Sequence, residues 1–178
     1  MPEADRLIQG CRQDPELFRE LVGLFQARLY SFLIRLAGRQ AADDLFQEVW
    51  LRVYQAAPRY EARGKAASWI FKIAHNVALQ HHGRRAKQPE AAGDALDALP
   101  SGDLDPAAAG ERAETLGQVD AAIAALPFEQ RQVFLLREFG GMPFKEVAEL
   151  LEIPLGTALS RMNAALEKLR GRLEDFRA

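Results

Sequence analysis

The chain has 178 residues, of which 48% are hydrophobic and 27% charged, and its formal net charge is −2. It has no apolar run long enough to cross a bilayer and no basic start followed by an apolar stretch, so the sequence predicts a soluble protein of the cytoplasm. The single cysteine, Cys11, cannot form an internal disulfide and makes a poor metal site.

The charges are distributed unevenly along the chain. Residues 1–88 hold 14 Lys and Arg against 9 Asp and Glu, residues 89–118 hold 1 against 7, and residues 119–178 hold 8 against 9. A basic first half is therefore joined through an acidic segment to a nearly neutral second half. This distribution is informative about binding partners, whereas the total charge is not.

Apolar residues recur at helical spacing, and no stretch alternates like a strand for more than a few residues, so the predicted fold class is all-α. The spacing predicts helices over 15–37, 41–56, 65–86, 111–125, 128–138, 144–151 and 155–175, with a short one over 3–12. The Ala-, Gly-, Pro- and Asp-rich stretch 89–110 has almost nothing to bury and predicts a flexible acidic linker. The sequence thus predicts two small helical domains, 1–88 and 111–178, with the linker between them.

Residues 142–170 have the plan of a helix-turn-helix, in which the second helix enters the DNA major groove. The outward side of that helix is predicted to hold four residues within about 60° that suit phosphates and guanine edges, namely Thr157, Arg161, Lys168 and Arg172. Its inward side is predicted to hold Leu159, Met162, Leu166, Leu169 and Leu173. The alternative is a plain helical hairpin with solvated charges.

Two features predict that this module alone binds DNA weakly. Glu152 occupies the turn position where Gly would reach a left-handed conformation more cheaply, by about 1 kcal/mol. Asn163, Ala164 and Ala165 stand where a strong DNA binder would carry cations. The module therefore needs a second attachment.

The predicted helix 41–56 has an exposed side on which Asp44, Glu48 and Gln55 surround Leu51 within about 60°. An apolar residue framed by acids suits docking of a basic protein surface. A single exposed leucine is also ordinary in soluble proteins, so this alternative stays open.

The segments ADDLFQEVWLRVY, ASWIFKIAHNVALQHHGRR and ALPFEQRQVFLLREFGGMPFKEVAELLEIPLGTALSR, in this order, resemble the extracytoplasmic-function group of the sigma-70 family. Members of this group are bacterial initiation factors with two helical DNA-binding domains and a linker. The resemblance covers residues 12–88 and 111–172, which is nearly everything outside the linker.

The resemblance implies three sets of functional residues. The set implied for contact with core RNA polymerase is Asp43, Asp44, Leu45, Gln47, Glu48 and Leu51. The set implied for the promoter minus-10 element is Arg59, Tyr60, Arg63, Lys65, Trp69, Lys72 and Asn76. The set implied for the minus-35 element is Thr157, Ser160, Arg161, Asn163 and Lys168. Many members carry Lys and further Arg after the GT pair, where this chain has Leu159, Ala164 and Leu166, so fewer minus-35 contacts are expected.

Trp69 has two interpretations within this family. The helical wheel sets it within about 60° of Lys65, Lys72 and Asn76, away from the core side. Since these factors separate DNA strands without ATP, the ring could stack on an unpaired minus-10 base, an interaction of about 1–3 kcal/mol. Alternatively, the ring packs beneath the 58–65 loop and props it in place.

The partners implied by the resemblance are core RNA polymerase, promoter DNA and an anti-sigma factor. Promoter elements about 17 base pairs apart span about 60 Å, so polymerase is expected to hold the two domains apart. No nucleotide-binding glycine loop or catalytic triad is visible, and the three histidines lack the spacing of a helical zinc pair. Neither an enzyme nor a cofactor or metal is therefore expected. The alternatives are an interaction protein with a degenerate helix-turn-helix and a stand-alone DNA-binding repressor.

Overall fold

The computed structural model describes residues 2–86 and 116–175, and in these ranges it contains helices and no strand. The first domain comprises α1 (Pro2–Gly10), α2 (Pro15–Ala37), α3 (Arg39–Ala56) and α4 (Ala66–Ala86), with a 3-10 turn at Ala57–Arg59. The second comprises α5 (116–124), α6 (Phe128–Glu138), α7 (Phe144–Leu150) and α8 (Leu155–Asp175). The all-α prediction is confirmed, and the other helix ends lie within a few residues of those predicted, whereas the predicted start of the 111–125 helix lies outside the described residues. The predicted linker 89–110 lies outside the described residues.

The start and end of α2 follow from local chemistry. The Asp14 carboxylate accepts a hydrogen bond from the backbone N–H of Glu16 at 2.8 Å, which satisfies one of the free N–H groups at the start of the helix. Pro15 occupies the first turn, where the N–H that proline lacks would have no partner within the helix. Gly38, at φ 90°, ends the helix while its N–H bonds to the Ile34 carbonyl at 2.8 Å. With one residue between them, α3 folds back along α2 and the two helices pack together.

The largest fully buried side chains of the first domain are three phenylalanines. Phe25, Phe32 and Phe71 are buried, and the rings of Phe32 and Phe71 meet edge to face at 5.3 Å between centroids. The buried apolar side chains form one cluster that continues into the second domain through residues such as Leu135 and Val147. The two domains therefore share a hydrophobic core across their boundary.

The turn between α7 and α8 has the predicted left-handed residue. Glu152 has φ 54°, and the N–H of the next residue, Ile153, bonds back to the Ala148 carbonyl at 3.0 Å. This bond satisfies one of the carbonyls left open at the end of α7. Pro154 follows the turn, and its carbonyl accepts the N–H groups of Thr157 and Ala158 at the start of α8.

The predicted orientation of α8 is partly wrong. Leu159 and Leu166 are both 41% exposed, whereas Ala158 and Ala165 are fully buried. Met162 is buried, as predicted. Both the leucine set and the alanine set have helical spacing, so periodicity alone could not choose between them. The small side chains face inward because α8 packs against both α6 and α7, where alanine lets the helices approach closely.

Polar contacts join the two domains, a feature that the sequence did not predict. The Arg28 guanidinium donates to the Phe139 carbonyl through Nε at 3.0 Å and Nη2 at 2.6 Å. His75 Nε2 lies 3.0 Å from Gln132 Oε1, and both residues are buried. The described parts of the two domains therefore pack directly against each other. None of the helices in 2–86 and 116–175 is long and apolar enough to cross a membrane.

Candidate functional site

The 58–65 loop is held by an acid from the N-terminal helix. The Tyr60 hydroxyl donates to Asp5 Oδ1, and the Gly64 N–H donates to Asp5 Oδ2 at 2.7 Å. Gly64 has φ 69°, a conformation that costs a side-chain-bearing residue about 1–2 kcal/mol. Asp5 is buried, and its two hydrogen bonds fix the loop to α1. The cations of the loop remain exposed.

The structure corrects the placement of Tyr60. Tyr60 is only 8% exposed, so it packs beneath the loop and little of it reaches the surface. Burial, together with the bond to Asp5, raises the pKa of the Tyr60 hydroxyl well above its ordinary value. The phenol therefore stays neutral and keeps its bond to Asp5.

Trp69 packs against the ring of Tyr60, with 4.8 Å between centroids and 53° between planes. It is half-buried, which agrees with the interpretation that it props the loop. Part of the same ring also lines a cleft of about 440 Å³ at the surface. One side of Trp69 thus supports the loop while another stays accessible from the cleft.

The cations predicted to read the minus-10 element surround this cleft. Its walls include Arg59, Arg63, Lys65 and Lys72, all exposed. Asn76 is also exposed but lies outside the cleft lining. The lining also includes Glu61, whose carboxylate pairs with Arg63. An aromatic face beside several cations is the combination that suits an unpaired nucleic-acid strand.

The opposite wall of the cleft belongs to the second domain. Glu146 and Glu149 of α7 line it, and Glu146 Oε1 lies 2.6 Å from Lys65 Nζ. The hydrogen bond to Glu146 raises the pKa of Lys65 above its ordinary value. Partial burial acts to raise the pKa of Glu146, but its bonds with Lys65 and Ser68 outweigh burial and lower it. Both groups are therefore held in their charged forms.

The side of α3 that the sequence predicts to be exposed is largely exposed in the structure. Leu51 is 52% exposed, and Asp44, Gln47 and Gln55 are exposed with it. Glu48 is half-buried and pairs with Arg52 at 2.6 Å. A groove of about 270 Å³ runs from Asp44 and Glu48 to residues of α4 such as Gln80.

Two other residues of the polymerase-binding set have structural partners. Leu45 is 6% exposed, so most of it belongs to the core and only its edge reaches the groove. Asp43 is exposed, and its Oδ1 accepts a hydrogen bond from the Tyr30 hydroxyl at 2.7 Å. The accessible part of the predicted set is therefore centred on Leu51.

The minus-35 set divides between two sides of α8. Thr157, Arg161 and Lys168 share one side, with Lys168 exposed and the other two half-buried. Ser160 and Asn163 are exposed, but Asn163 lies about 140° around the helix from this group, at 100° per residue. A third side carries the exposed leucines Leu155, Leu159 and Leu166.

Sequence reasoning missed Asp5 and the polar residues at the domain boundary. Asp5 lies among the buried apolar residues of α1, beside Ala4 and Ile8. A carboxylate at the edge of an apolar helix face is a signal that could have identified it, since buried charges need partners. Within 2–86 and 116–175, no group of three or more His, Cys, Asp and Glu is arranged to hold a metal ion.

Comparison with known families agrees with this arrangement. Residues 21–88 match Sigma-70 region 2, and residues 116–169 match Sigma-70, region 4. The chain is 32% identical over 167 residues to the ECF RNA polymerase sigma factor RpoE of Cereibacter sphaeroides, covering 93% of this chain and 90% of that protein. It is 26% identical over 182 residues to the ECF RNA polymerase sigma factor SigW of Bacillus subtilis, covering 96% of each.

A similar fold occurs in the sigma factor RpoE of Bartonella quintana, solved in complex with the anti-sigma factor NepR. The TM-score is 0.71 at 22% identity, over 88% of this chain and 96% of the other. At that identity the likeness shows the fold alone. From the two region matches and the relatives, the chain belongs to the extracytoplasmic-function group of the sigma-70 family, the alternative sigma factors of bacterial RNA polymerase.

Proposed function

We propose that the first domain, residues 1–88, binds core RNA polymerase through α3 and reads the promoter minus-10 element through the 58–65 loop and α4. Leu51 supplies the apolar centre of the polymerase contact, and Asp44, Gln47 and Glu48 surround it. The acidic side chains attract a basic surface of the partner, and the leucine contributes apolar surface that becomes buried on binding.

The observation that carries the minus-10 role is the cleft beside Trp69. Arg59, Arg63, Lys65 and Lys72 give it positive charge, and the accessible part of Trp69 gives it an aromatic face. Cations bind the strand's phosphates, whereas the ring stacks on a base that has left the duplex. Binding of the unpaired strand then stabilises the melted promoter without any nucleotide hydrolysis. The role requires no catalytic residue.

The second domain, residues 111–178, reads the minus-35 element with the start of α8. Thr157, Ser160 and Arg161 lie in the first two turns, the part of a recognition helix that meets base edges. Lys168, two turns later, suits a phosphate of the DNA backbone. The linker, residues 89–110, spans the distance between the two promoter elements when polymerase separates the domains.

An anti-sigma factor is the third proposed partner. The Bartonella quintana sigma factor of similar fold was solved with such a protein bound. In this chain the exposed leucines of α8 and the acidic face of α3 are surfaces that a regulator could cover. The proposed site of action is the cytoplasm, where bacterial polymerase works.

Run-off transcription with purified core polymerase tests the proposal. Fragmented genomic DNA of the source bacterium serves as template, and the transcript starts are sequenced with and without the purified chain. We expect new starts that share two sequence elements at a fixed spacing. Core binding without new starts would instead identify an interaction protein, and promoter binding without core would identify a repressor.

A further inference from the structure

Arg52 of α3 connects one acid of the implied polymerase-binding set to the neighbouring helix α4. Its Nε lies 2.6 Å from Glu48 Oε1, one turn earlier on the same helix. Its Nη2 donates a hydrogen bond to Gln80 Oε1 of α4 at 3.0 Å. Neither Arg52 nor Gln80 belongs to the set that the resemblance implies for polymerase contact.

The carboxylate that Arg52 holds is still accessible to a partner. The Glu48 side chain is 42% exposed and that of Arg52 is 34% exposed. Both line the groove of about 270 Å³ between α3 and α4, and Asp44 lines it one helical turn before Glu48. The α3 side of the groove therefore presents two carboxylates in a row, and the second of them is fixed by the arginine that follows.

We infer that Arg52 is a positioning residue for the polymerase contact, which holds the Glu48 carboxylate in place by anchoring it to Gln80 of α4. The inference rests on the proposed function for the identity of the partner and adds the group that orients one of its acids. It also makes α4, the helix proposed to read DNA, a support of the polymerase contact.

The physical basis is the entropy that a flexible side chain loses at an interface. A glutamate that is already held in the free chain loses less of its freedom on binding, so more of the contact energy appears as affinity. A guanidinium is a planar fork that bonds two acceptors at once, whereas the lysine ammonium is a compact point charge on a flexible stem. Arg52→Lys therefore keeps the charge and the pairing with Glu48 one turn away, but it loses the link to Gln80.

Affinity for core polymerase tests the inference in a double-mutant cycle. Fluorescence anisotropy of the labelled full-length chain compares Arg52→Lys, Glu48→Gln and the double variant with the wild-type chain. The control is Arg19→Lys, because Arg19 pairs with Glu16 on α2 at the same distance of 2.6 Å but outside the groove. Urea unfolding of each variant checks that the fold is intact.

We expect Arg52→Lys to weaken binding about two- to tenfold, the range for fixing one flexible side chain at an interface, and Arg19→Lys to have no effect. In a chain that already carries Glu48→Gln, Arg52→Lys should cause no further loss, because the acid that Arg52 positions is gone. Gln80→Leu removes the anchor without changing any charge, and it should weaken binding in the same range only while Glu48 is present.

Normal binding by Arg52→Lys or by Gln80→Leu would overturn the inference. Losses that multiply in the double variant would also overturn it, since Arg52 would then act independently of Glu48. A purely structural role would weaken binding with and without Glu48 and would lower the urea midpoint of Arg52→Lys.

These outcomes are distinguishable from a failure of the proposed function. If the wild-type chain does not bind core polymerase, the proposed function and the inference fail together. If the wild-type chain binds and Glu48→Gln weakens binding while Arg52→Lys does not, the proposed function stands and only the positioning role is lost.

Discussion

Arg35 of α2 and Asp120 of α5 form an ion pair between the two domains, with 2.6 Å from Nη2 to Oδ1. Their side chains are 7% and 2% exposed, so the pair is sealed from water. The Arg35 guanidinium also lies over the ring of Phe139, 4.8 Å from its centroid. The domain boundary therefore holds a buried charge whose partner is on the other domain.

We expect Asp120→Asn to weaken the domain contact by about 3–5 kcal/mol, because it leaves the Arg35 charge buried without a partner. Hydrogen exchange of the α6 amides and urea unfolding measure the loss. Glu129→Gln, an equal change of charge at an exposed position, is the control. Unchanged exchange and stability in Asp120→Asn would show that the pair does not hold the domains together.

Removal of the Asp5 carboxylate is expected to loosen the 58–65 loop. Asp5→Ala leaves the buried Tyr60 hydroxyl without its acceptor, at a cost of about 1–3 kcal/mol, and it also removes the acceptor of the N–H of the exposed residue Gly64. Urea unfolding gives the loss of stability, and Glu3→Ala, at an exposed position of the same helix, is the control. Equal stabilities of the two variants would contradict the role of Asp5.

His75 predicts a dependence of stability on acid pH. Burial lowers its pKa, outweighing the hydrogen bonds to Gln132 and Asn76 that act in the opposite direction. The folded chain therefore keeps His75 neutral while the unfolded chain gains a proton near the ordinary pKa of about 6.5. The contribution of neutral His75 to the free energy of unfolding is therefore fully present above that pH and is lost progressively as the pH falls below it.

His75→Gln, which stays neutral, is expected to reduce the fall in stability between pH 7.5 and pH 5.5. Urea midpoints at the two pH values measure it, with His82→Gln at an exposed position as the control. If the wild-type chain and His75→Gln lose stability equally, another group is responsible for the acid sensitivity.

Leu51→Asp is expected to reduce affinity for core polymerase about tenfold or more without loss of stability. The leucine is 52% exposed, so its replacement costs little in the free chain, whereas a charge at the centre of the contact must be desolvated on binding. Fluorescence anisotropy of the labelled chain titrated with core polymerase measures the affinity. Leu24→Asp, at another exposed leucine of the first domain, should bind normally.

Trp69→Ala is expected to leave binding to core polymerase intact and to reduce open-complex formation about tenfold. The change removes the aromatic face of the cleft and the ring that supports Tyr60, and both effects act on the minus-10 strand. Permanganate footprinting of unpaired thymines measures melting, with Leu79→Ala, an exposed position of the same helix, as control. Normal melting by Trp69→Ala would exclude the proposed role.

Helical periodicity was sufficient to predict the elements of the fold. The bounds of α6 agree with the prediction to the residue, and the left-handed conformation of Glu152 was predicted from its place in the turn. The orientation of α8 was not predictable, because Ala158 and Ala165 compete with Leu159 and Leu166 for the same periodic pattern. Only packing against α6 and α7 decides which set is buried.

The candidate site was predictable in its exposed residues but not in its supports. Lys65, Lys72 and Leu51 are exposed as the helical wheel predicts. Tyr60 was misplaced because its burial depends on Asp5, a residue 55 positions away in the sequence. The Lys65–Glu146 contact was missed for the same reason, since nothing local to either residue indicates its partner.

We expect the two domains to lie together in the free chain and to separate when the chain binds core polymerase. Spin labels at Glu20→Cys and Glu174→Cys, both exposed positions, allow the distance between the domains to be measured by pulsed electron paramagnetic resonance. The account predicts one short, narrow distance in the free chain and a longer one after core polymerase is added. The same distance in both samples would contradict it.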